Sequence, residues 1–446
     1  MDFARVGLVP AWRSTADLPC VERVRNHPLR PVRGGVVGPP SAVNPTSFEW
    51  REIMSEAFIV AAARTAGGRR NGRLSGWHPA DLAAQVLNAL IERAGADPAL
   101  VEDVIMGCVG QIGEQSMNIA RSAVLASRLP ESVPATSIDR QCGSSQQALH
   151  FAAQAVMSGT MDVVIAAGVE SMTRVPMGTP SMLAQKNGFG FYVSPQMQQR
   201  YPGVEFSQFH GAEMMAKKYN LEKDVLDAYA LRSHQLAAAA TRERLFEREI
   251  VPVAARLKDG ADLGEPHVID EGIRFDATLE AISSVKLLSD DGRVSAATAS
   301  QICDGASGVM IVNERGLKSL GVKPLARIHH MSVMGHDPVI MLEAPLPATQ
   351  RALQKAGMTI DDIDLYEVNE AFAPVPLAWL QALAADPDRL NVNGGAIALG
   401  HPLGGSGTKL MTTLVYALHQ RRKRYGLQTM CEGGGMANVT IVERLE

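Results

Sequence analysis

Four short stretches of this chain carry side chains whose type and setting suit covalent chemistry. The first is Ile138-Asp139-Arg140-Gln141-Cys142-Gly143-Ser144-Ser145-Gln146-Gln147-Ala148, an apolar run that ends in a turn, with one cysteine at the bend and a helical pattern from 148 to 157. A cysteine at the first turn of a helix faces unpaired N–H groups and the positive end of the dipole, which favour thiolate over thiol. Gly143 and the serines keep the approach to the sulfur open, so Cys142 reads as a nucleophile for an acyl group. A buried structural cysteine is the competing reading.

The second stretch, residues 393–407, sets His401 among glycines, where little side-chain bulk surrounds it; Pro402 fixes the backbone just after it. Main-chain N–H groups in such a loop can approach a bound carbonyl or phosphate closely. The third, Cys431-Glu432-Gly433-Gly434-Gly435-Met436, places a second cysteine before three glycines. The fourth is Glu367-Val368-Asn369-Glu370-Ala371-Phe372, a polar pair directly after a short apolar strand. Such a pair is costly unless hydrogen-bonded or functional; Asn369 as a helix N-cap is the other reading.

The elements that must hold these turns alternate. Strands are expected at 58–62, 104–107, 163–168, 306–313, 365–368 and 438–442, and helices at 79–94, 118–126, 226–246, 347–356, 372–385 and through 410–418. The run Val163-Val164-Ile165-Ala166-Ala167-Gly168 is continuously apolar, as in a strand buried on both faces. This rhythm predicts an α/β sheet covered by helices. It lapses from about 173 to 300, where Met, Pro, Gln and Gly dominate, with a short strand expected at 250–253. That stretch reads as an inserted domain or large lid. Each half offers an apolar strand, a small-residue turn with a reactive side chain and a packed helix, which suggests an internal duplication.

At 446 residues the chain has room for two or three domains. A net charge of −4 gives no global drive towards nucleic acid. Five scattered cysteines form neither a disulfide framework nor a metal pair, which fits a reducing cytosol. No apolar run approaches the roughly 18 residues of a membrane span. Residues 1–53, rich in Pro, Arg and Val without periodicity, read as a disordered extension; a sharper alternative makes Met54 the natural start.

In combination, Arg-Gln-Cys-Gly-Ser-Ser, Asn-Glu-Ala-Phe, Gly-His-Pro-Leu-Gly-Gly-Ser-Gly and Cys-Glu-Gly-Gly-Gly-Met-Ala-Asn resemble the thiolases of the acetyl-CoA acetyltransferase and 3-ketoacyl-CoA thiolase family, from about Ser55 to Glu446. The resemblance implies a duplicated five-layer α-β-α-β-α sandwich with an inserted loop domain. Its halves would be residues 54–174 plus 304–324 and residues 325–446, with a loop and CoA-binding domain at 175–303. It implies that Cys142 is acylated, that His401 takes its proton, and that Cys431 is the acid/base for the acetyl carbon or the thiol of CoA. Asn369 would orient a water that completes one oxyanion hole with His401, and the N–H groups of Cys142 and Gly433 would form the other. Ser300 and Phe372 would contact CoA. The implied reaction is ping-pong, with CoA as substrate, no metal and no permanently bound cofactor. The implied protein is a cytoplasmic homodimer or homotetramer acting on acyl-CoA.

Two segments depart from the commonest family pattern: Phe206-Ser207-Gln208-Phe209-His210-Gly211-Ala212-Glu213 and Val339-Ile340-Met341-Leu342-Glu343-Ala344-Pro345. Both fall where the family lines its acyl channel, and they resemble catabolic thiolases, including those for steroid side chains. This points to degradation of a longer or bulkier 3-ketoacyl-CoA; His210 reads either as a CoA contact or as a surface residue. The alternatives are a biosynthetic acetoacetyl-CoA thiolase, a decarboxylating condensing enzyme, against which Cys431 argues, and a non-catalytic CoA- or lipid-binding relative.

Overall fold

The first strand, Phe58-Ile59-Val60-Ala61-Ala62-Ala63-Arg64, is buried along its whole length and lies near the middle of the strand order. The computed structural model describes residues 55–445; the readings made for residues 1–53 and for Met54 lie outside them. In chain order come β1 (Phe58–Arg64), β2 (Gly68–Arg69), α1 (Pro79–Ala94), β3 (Asp103–Gly107), α2 (Ile119–Ala126), β4 (Ala135–Ile138), α3 (Ser144–Met157) and β5 (Val163–Ser171). An excursion follows, with α4 (Thr179–Lys186), α5 (Pro195–Arg200), α6 (Gln208–Lys218), α7 (Lys223–Arg242), β6 (Val253–Arg256), β7 (Asp262–His267) and α8 (Leu279–Ser283). The chain then returns through β8 (Cys303–Val312), α9 (Glu314–Leu320), β9 (Ala326–Gly335), α10 (Pro345–Ala356) and β10 (Leu365–Val368). It continues with α11 (Pro374–Leu383), α12 (Ala396–Leu399), α13 (Ser406–Arg421), β11 (Tyr425–Glu432) and β12 (Met436–Arg444).

The strand order β4-β3-β5-β8-β1 in the first half is repeated by β10-β11-β12-β9 in the second. In each half the pairs near the outer edge are parallel (β4/β3 and β3/β5; β10/β11) and the remaining pairs antiparallel (β5/β8 and β8/β1; β11/β12 and β12/β9). A parallel bridge between Tyr366 and Leu390 stands where the second half would carry its outermost strand. The strands of the two halves pair through Phe58 opposite Arg327 and Ile59 opposite Ala326.

Packing stacks these into five layers. Leu82, Val86 and Leu90 of α1 close over Val104, Ile165 and Met310 on the outside of the first half. In the middle, Leu149 and Ala152 of α3 meet Met411 and Leu414 of α13 between Val164 and Ile311 on one side and Leu365 and Val442 on the other. Trp379 of α11 and Leu353 of α10 cover Val439 and Ile441 on the far face. Each fully buried Leu or Ile is worth roughly 1.5–3 kcal/mol relative to exposure, so the two inner helices, buried along most of their length with their polar side chains included, draw much of their stability from this position.

The observed bounds depart from sequence expectation where polar side chains join the core. β5 runs on to Ser171 because Val169, Glu170 and Ser171 pair with Ala306, Gly305 and Asp304. The strand expected at 250–253 starts only at Val253, since Pro252 has no N–H to offer a ladder; Ile250 instead makes a single bridge to Arg64. β9, with its polar Arg-Ile-His-His-Met-Ser sequence, gave no apolar signal, yet it holds β12 along ten residues.

Candidate active site

β4 delivers the chain to Gln141, held at φ +50°, and Gly143 then caps α3. The bend is pinned on both sides: the Ser144 hydroxyl accepts from Arg140 N (2.9 Å) and donates to Gln141 O (2.5 Å), while Asp139 Oδ1 accepts from Gln141 N (2.6 Å). Cys142 is buried at its tip among Met172, Leu403, Leu410 and Met430. Main-chain N–H groups of Cys142 itself and of Gly433 reach its sulfur. The helix terminus is not the only influence on this thiol. Burial first, then the nearby Glu432 carboxyl, push the thiol up to about 12, because the sulfur sits one residue before the cap, where desolvation outweighs the helix terminus.

His401 is also buried. Its backbone N–H donates to Gln301 O (3.1 Å) and it bridges Ile302. The ring Nδ1 lies 2.5 Å from Ser406 Oγ, and Nε2 lies 3.4 Å from Asn369 Nδ2. Since the Ser406 hydroxyl donates its proton to Pro402 O (2.8 Å), it can only accept at Nδ1. Nδ1 therefore carries the hydrogen and Nε2 the lone pair. Burial, and to a lesser degree Lys409, lower the imidazole to about 3, so the ring is neutral and open to a proton. Lys409 itself, buried, donates to Leu399 O (2.5 Å) and Gly400 O (3.1 Å) and so ties down the backbone just ahead of His401.

Asn369 follows β10, and its neighbour Glu370 accepts from Ser233 Oγ (2.7 Å), Tyr229 OH (2.9 Å), Asn391 Nδ2 (3.0 Å) and Ile397 N (3.0 Å). This disposes of the N-cap reading: the next helix is α11, which starts at Pro374 with Ala373 at its cap. Glu170 plays a matching part in the first half, accepting from Val109 N, Gly110 N, Gln115 Nε2 and, across the halves, Gly404 N (2.8 Å).

Cys431 is buried in β11 opposite Ala437. Its thiol is pushed well up by burial and by the neighbouring Cys142 and Glu432. The loop 299–302 joins the rest: Ser300 N donates to Ala371 O (2.9 Å), Ala299 bridges Phe372, and the Phe372 ring meets Phe209 edge-on at 5.5 Å. Cys142, Cys431 and Gly433 thus form one group, His401 and Asn369 a second linked to the first through Leu403, and Ser300 and Phe372 a third.

Sequence reasoning overlooked Glu432 and Ser406. Glu432 has both carboxyl oxygens buried without a partner, and burial pushes it up to about 8. A Cβ on Gly143 would stand 2.0 Å from its Oε1. The signal was an acidic residue at the end of an otherwise uncharged strand. Among the described residues no group of three or more His, Cys, Asp or Glu is placed to hold a metal ion, and no helix is long and apolar enough to cross a membrane.

Two cavities flank the site. One, of about 480 Å³, is lined by Ser207, Phe209, His210, Leu288 and Val339 among others, so both departing segments open onto it. The other, of about 270 Å³, lies beside Ser300 between Arg274, Ala281, Val285, Ala297, Ala299 and Gln301.

Residues 57–315 match the family model described as thiolase, N-terminal domain, and residues 322–444 that described as thiolase, C-terminal domain. The chain is 50% identical over 395 residues to the steroid 3-ketoacyl-CoA thiolase FadA6 of Mycobacterium tuberculosis, covering 88% of this chain and 95% of that protein. It is 38% identical over 403 residues to a 3-ketoacyl-CoA thiolase of Bacillus subtilis, covering 87% and 100% respectively. The crystal structure of the Bacillus anthracis acetyl-CoA acetyltransferase superposes with a TM-score of 0.80 at 33% identity, over 88% of this chain and all of that one.

Proposed function

The chain belongs to the thiolase family, and from that premise we propose that it cleaves a 3-ketoacyl-CoA with free CoA, giving acetyl-CoA and an acyl-CoA two carbons shorter, in the catabolism of fatty acids or steroid side chains. The observation that supports the reading is a buried neutral imidazole, its Nε2 lone pair turned towards Asn369, together with two buried thiols, Cys142 and Cys431, that lie close to each other.

In the forward direction Cys142 Sγ adds to the 3-keto carbon as its proton passes to His401 Nε2. The charge that builds on the carbonyl oxygen needs preorganised donors, each worth about 2.7–4 kcal/mol. The N–H groups of Cys142 and Gly433 supply one set; His401, once protonated, and a water oriented by Asn369 supply the other. The C2–C3 bond then breaks, leaving the shortened acyl group on Cys142 and an acetyl-CoA carbanion that takes its proton from Cys431. In the second half-reaction the thiol of CoA loses a proton to Cys431 and attacks the acyl thioester, and Cys142 leaves, taking back the proton that His401 Nε2 had held. The reverse is a Claisen condensation of two thioesters.

CoA enters as a substrate, its pantetheine passing Ser300 and Phe372 and its nucleotide end taking the 270 Å³ cavity beside Arg274. The 480 Å³ cavity, bounded by both departing segments, receives a long or bulky acyl chain. The division into residues 54–174 with 304–324, 175–303 and 325–446 is supported by the excursion leaving the sheet after β5 and returning at β8. The four described cysteines are free thiols, which suits the cytoplasm. Among the described residues β4 ends the strand order, and Met117 and Phe189 are 90% and 84% exposed, which suits a homodimer or homotetramer.

The test is incubation with 3-ketoacyl-CoA substrates of graded size. Without added CoA, intact mass should show the shortened acyl group on Cys142; with CoA, acetyl-CoA should appear. A protein that forms neither adduct nor acetyl-CoA with any of them is not a thiolase in function.

A further inference from the structure

The alternation of side chains along β10 puts Glu367 and Asn369 on the same face, and residues 406, 409, 410 and 413 share one face of α13. These two faces, floored by the glycine loop 394–400, enclose a cavity of about 20 Å³ behind His401. A water requires roughly 10–15 Å³ and two to four polar partners. Most polar atoms around the cavity are already engaged. Ser406 accepts from His401 and donates to Pro402 O, Lys409 donates to Leu399 O and Gly400 O, and Thr413 donates to Glu249. Glu367 Oε2 and Asn369 Oδ1 are left, both buried and both without a partner.

We propose that one ordered water in this cavity links Glu367 to Asn369, making Glu367 the positioning residue that holds the Asn369 amide in its working orientation. Glu367 donates to the water and the water donates to Asn369 Oδ1. With Oδ1 committed inward, Nδ2 is turned towards His401 Nε2, where it stands at 3.4 Å, and towards any oxyanion formed there. Burial, with Glu370 and Glu249 close by, keeps Glu367 in the protonated form that can donate. An amide free to turn by half a revolution would instead present an oxygen to the imidazole lone pair and to the oxyanion, repelling both. Glu367 touches no substrate in this arrangement; it acts only through the water and Asn369. The inference rests on the thiolase reading for its kinetic consequence, but not for the water.

Two experiments test it. A high-resolution crystal structure should show a water within hydrogen-bond distance of Glu367 Oε2 and Asn369 Oδ1; a dry cavity overturns the proposal whatever the enzyme does. In kinetics, Glu367→Leu should lower kcat about 10-fold or more, the scale of losing an outer partner of a working group, with KM little changed. Glu367→Gln, which can still donate, should recover most of the loss. In an Asn369→Ala background Glu367→Leu should cost nothing further. An undiminished loss in that background means Glu367 supports the fold rather than Asn369, and the proposal fails. If the native protein turns over no 3-ketoacyl-CoA, the thiolase reading falls, while the diffraction result still decides the water.

Discussion

The Ser406 hydroxyl decides which nitrogen of His401 carries the proton. Its own hydrogen is committed to Pro402 O, one turn back, so the 2.5 Å contact to Nδ1 must be donated by the ring. The lone pair is thereby left on Nε2, the nitrogen that faces Asn369 and the reaction.

Ser406→Ala removes that constraint and admits the other tautomer. Removing a general base altogether costs about 10²–10⁴-fold; since half or more of the rings can still present a free Nε2, the loss in kcat/KM from the mixed tautomers should be only about 2-fold. Nitrogen chemical shifts of labelled histidine should show a mixture of tautomers in the variant and a single one in the native protein. A single tautomer in both removes this role from Ser406.

Glu432 should make the protein less stable as pH rises through neutrality. Its folded-state value, about 8, lies above the ordinary carboxyl value. The folded protein therefore holds a proton that the unfolded chain releases, and stability falls from about pH 4.5 up to about 8. Glu432→Gln should abolish this decline, leaving the variant more stable than the native protein at pH 8.5 by something on the order of a few kcal/mol and little different near pH 4. His150 and His401, both lowered to about 3 by burial, slope the other way: the unfolded chain takes up protons first, so stability is lost as pH drops below about 6.5. Denaturant midpoints across pH 4–9 read both limbs. The same ionisation discourages the Cys142 thiolate, so alkylation of Cys142 by iodoacetamide above pH 8 should be faster in Glu432→Gln.

The fold was readable where strands are apolar and helices strictly periodic, as in α1, whose bounds match the expected 79–94. Cys142, His401 and Cys431 stand out in the sequence because glycines and chain bends cluster around them. What the sequence hid is polar and internal. β9 looks like a solvated segment because its partner strand lies more than a hundred residues away. Glu170 looks like a surface charge until donors from Val109 and Gly110, from Gln115 and from Gly404 converge on it, and nothing local in the sequence marks Glu367 and Glu432 as buried. At Cys142 likewise a local pattern reports the helix terminus but not the burial that raises its thiol.

The two segments that depart from the common family pattern meet across the 480 Å³ cavity, with Phe209 and His210 on α6 and Val339 in the loop after β9. Filling it should shift selectivity rather than abolish turnover. Val339→Trp is expected to lower kcat/KM for a bulky or long 3-ketoacyl-CoA by about 10–200-fold, the scale of one lost methylene-sized contact or more, while acetoacetyl-CoA cleavage changes far less. Equal losses on both substrates would mean that the acyl chain does not enter this cavity.

Asn369 and Glu370 are neighbours in sequence with opposite duties, and substituting each in turn should separate them. Asn369 makes one long contact to His401 and leaves its oxygen without a protein partner; it contributes little to packing. Asn369→Ala should therefore fold and melt nearly as the native protein does, yet lose about 10²–10³ in kcat, the scale of one missing oxyanion donor. Glu370 binds four donors from α7, the segment before the glycine loop, and α12. Glu370→Ala strands those donors in the interior and should cost about 3–5 kcal/mol of stability. Activity would then fall because the loop 393–401 is no longer braced, and it should recover in part with a stabilising osmolyte. No osmolyte should restore Asn369→Ala, whose defect is in the chemistry. Calorimetry and steady-state kinetics on both variants, with and without osmolyte, make the comparison. Parallel behaviour of the two would assign Asn369 to the fold and take it out of the mechanism.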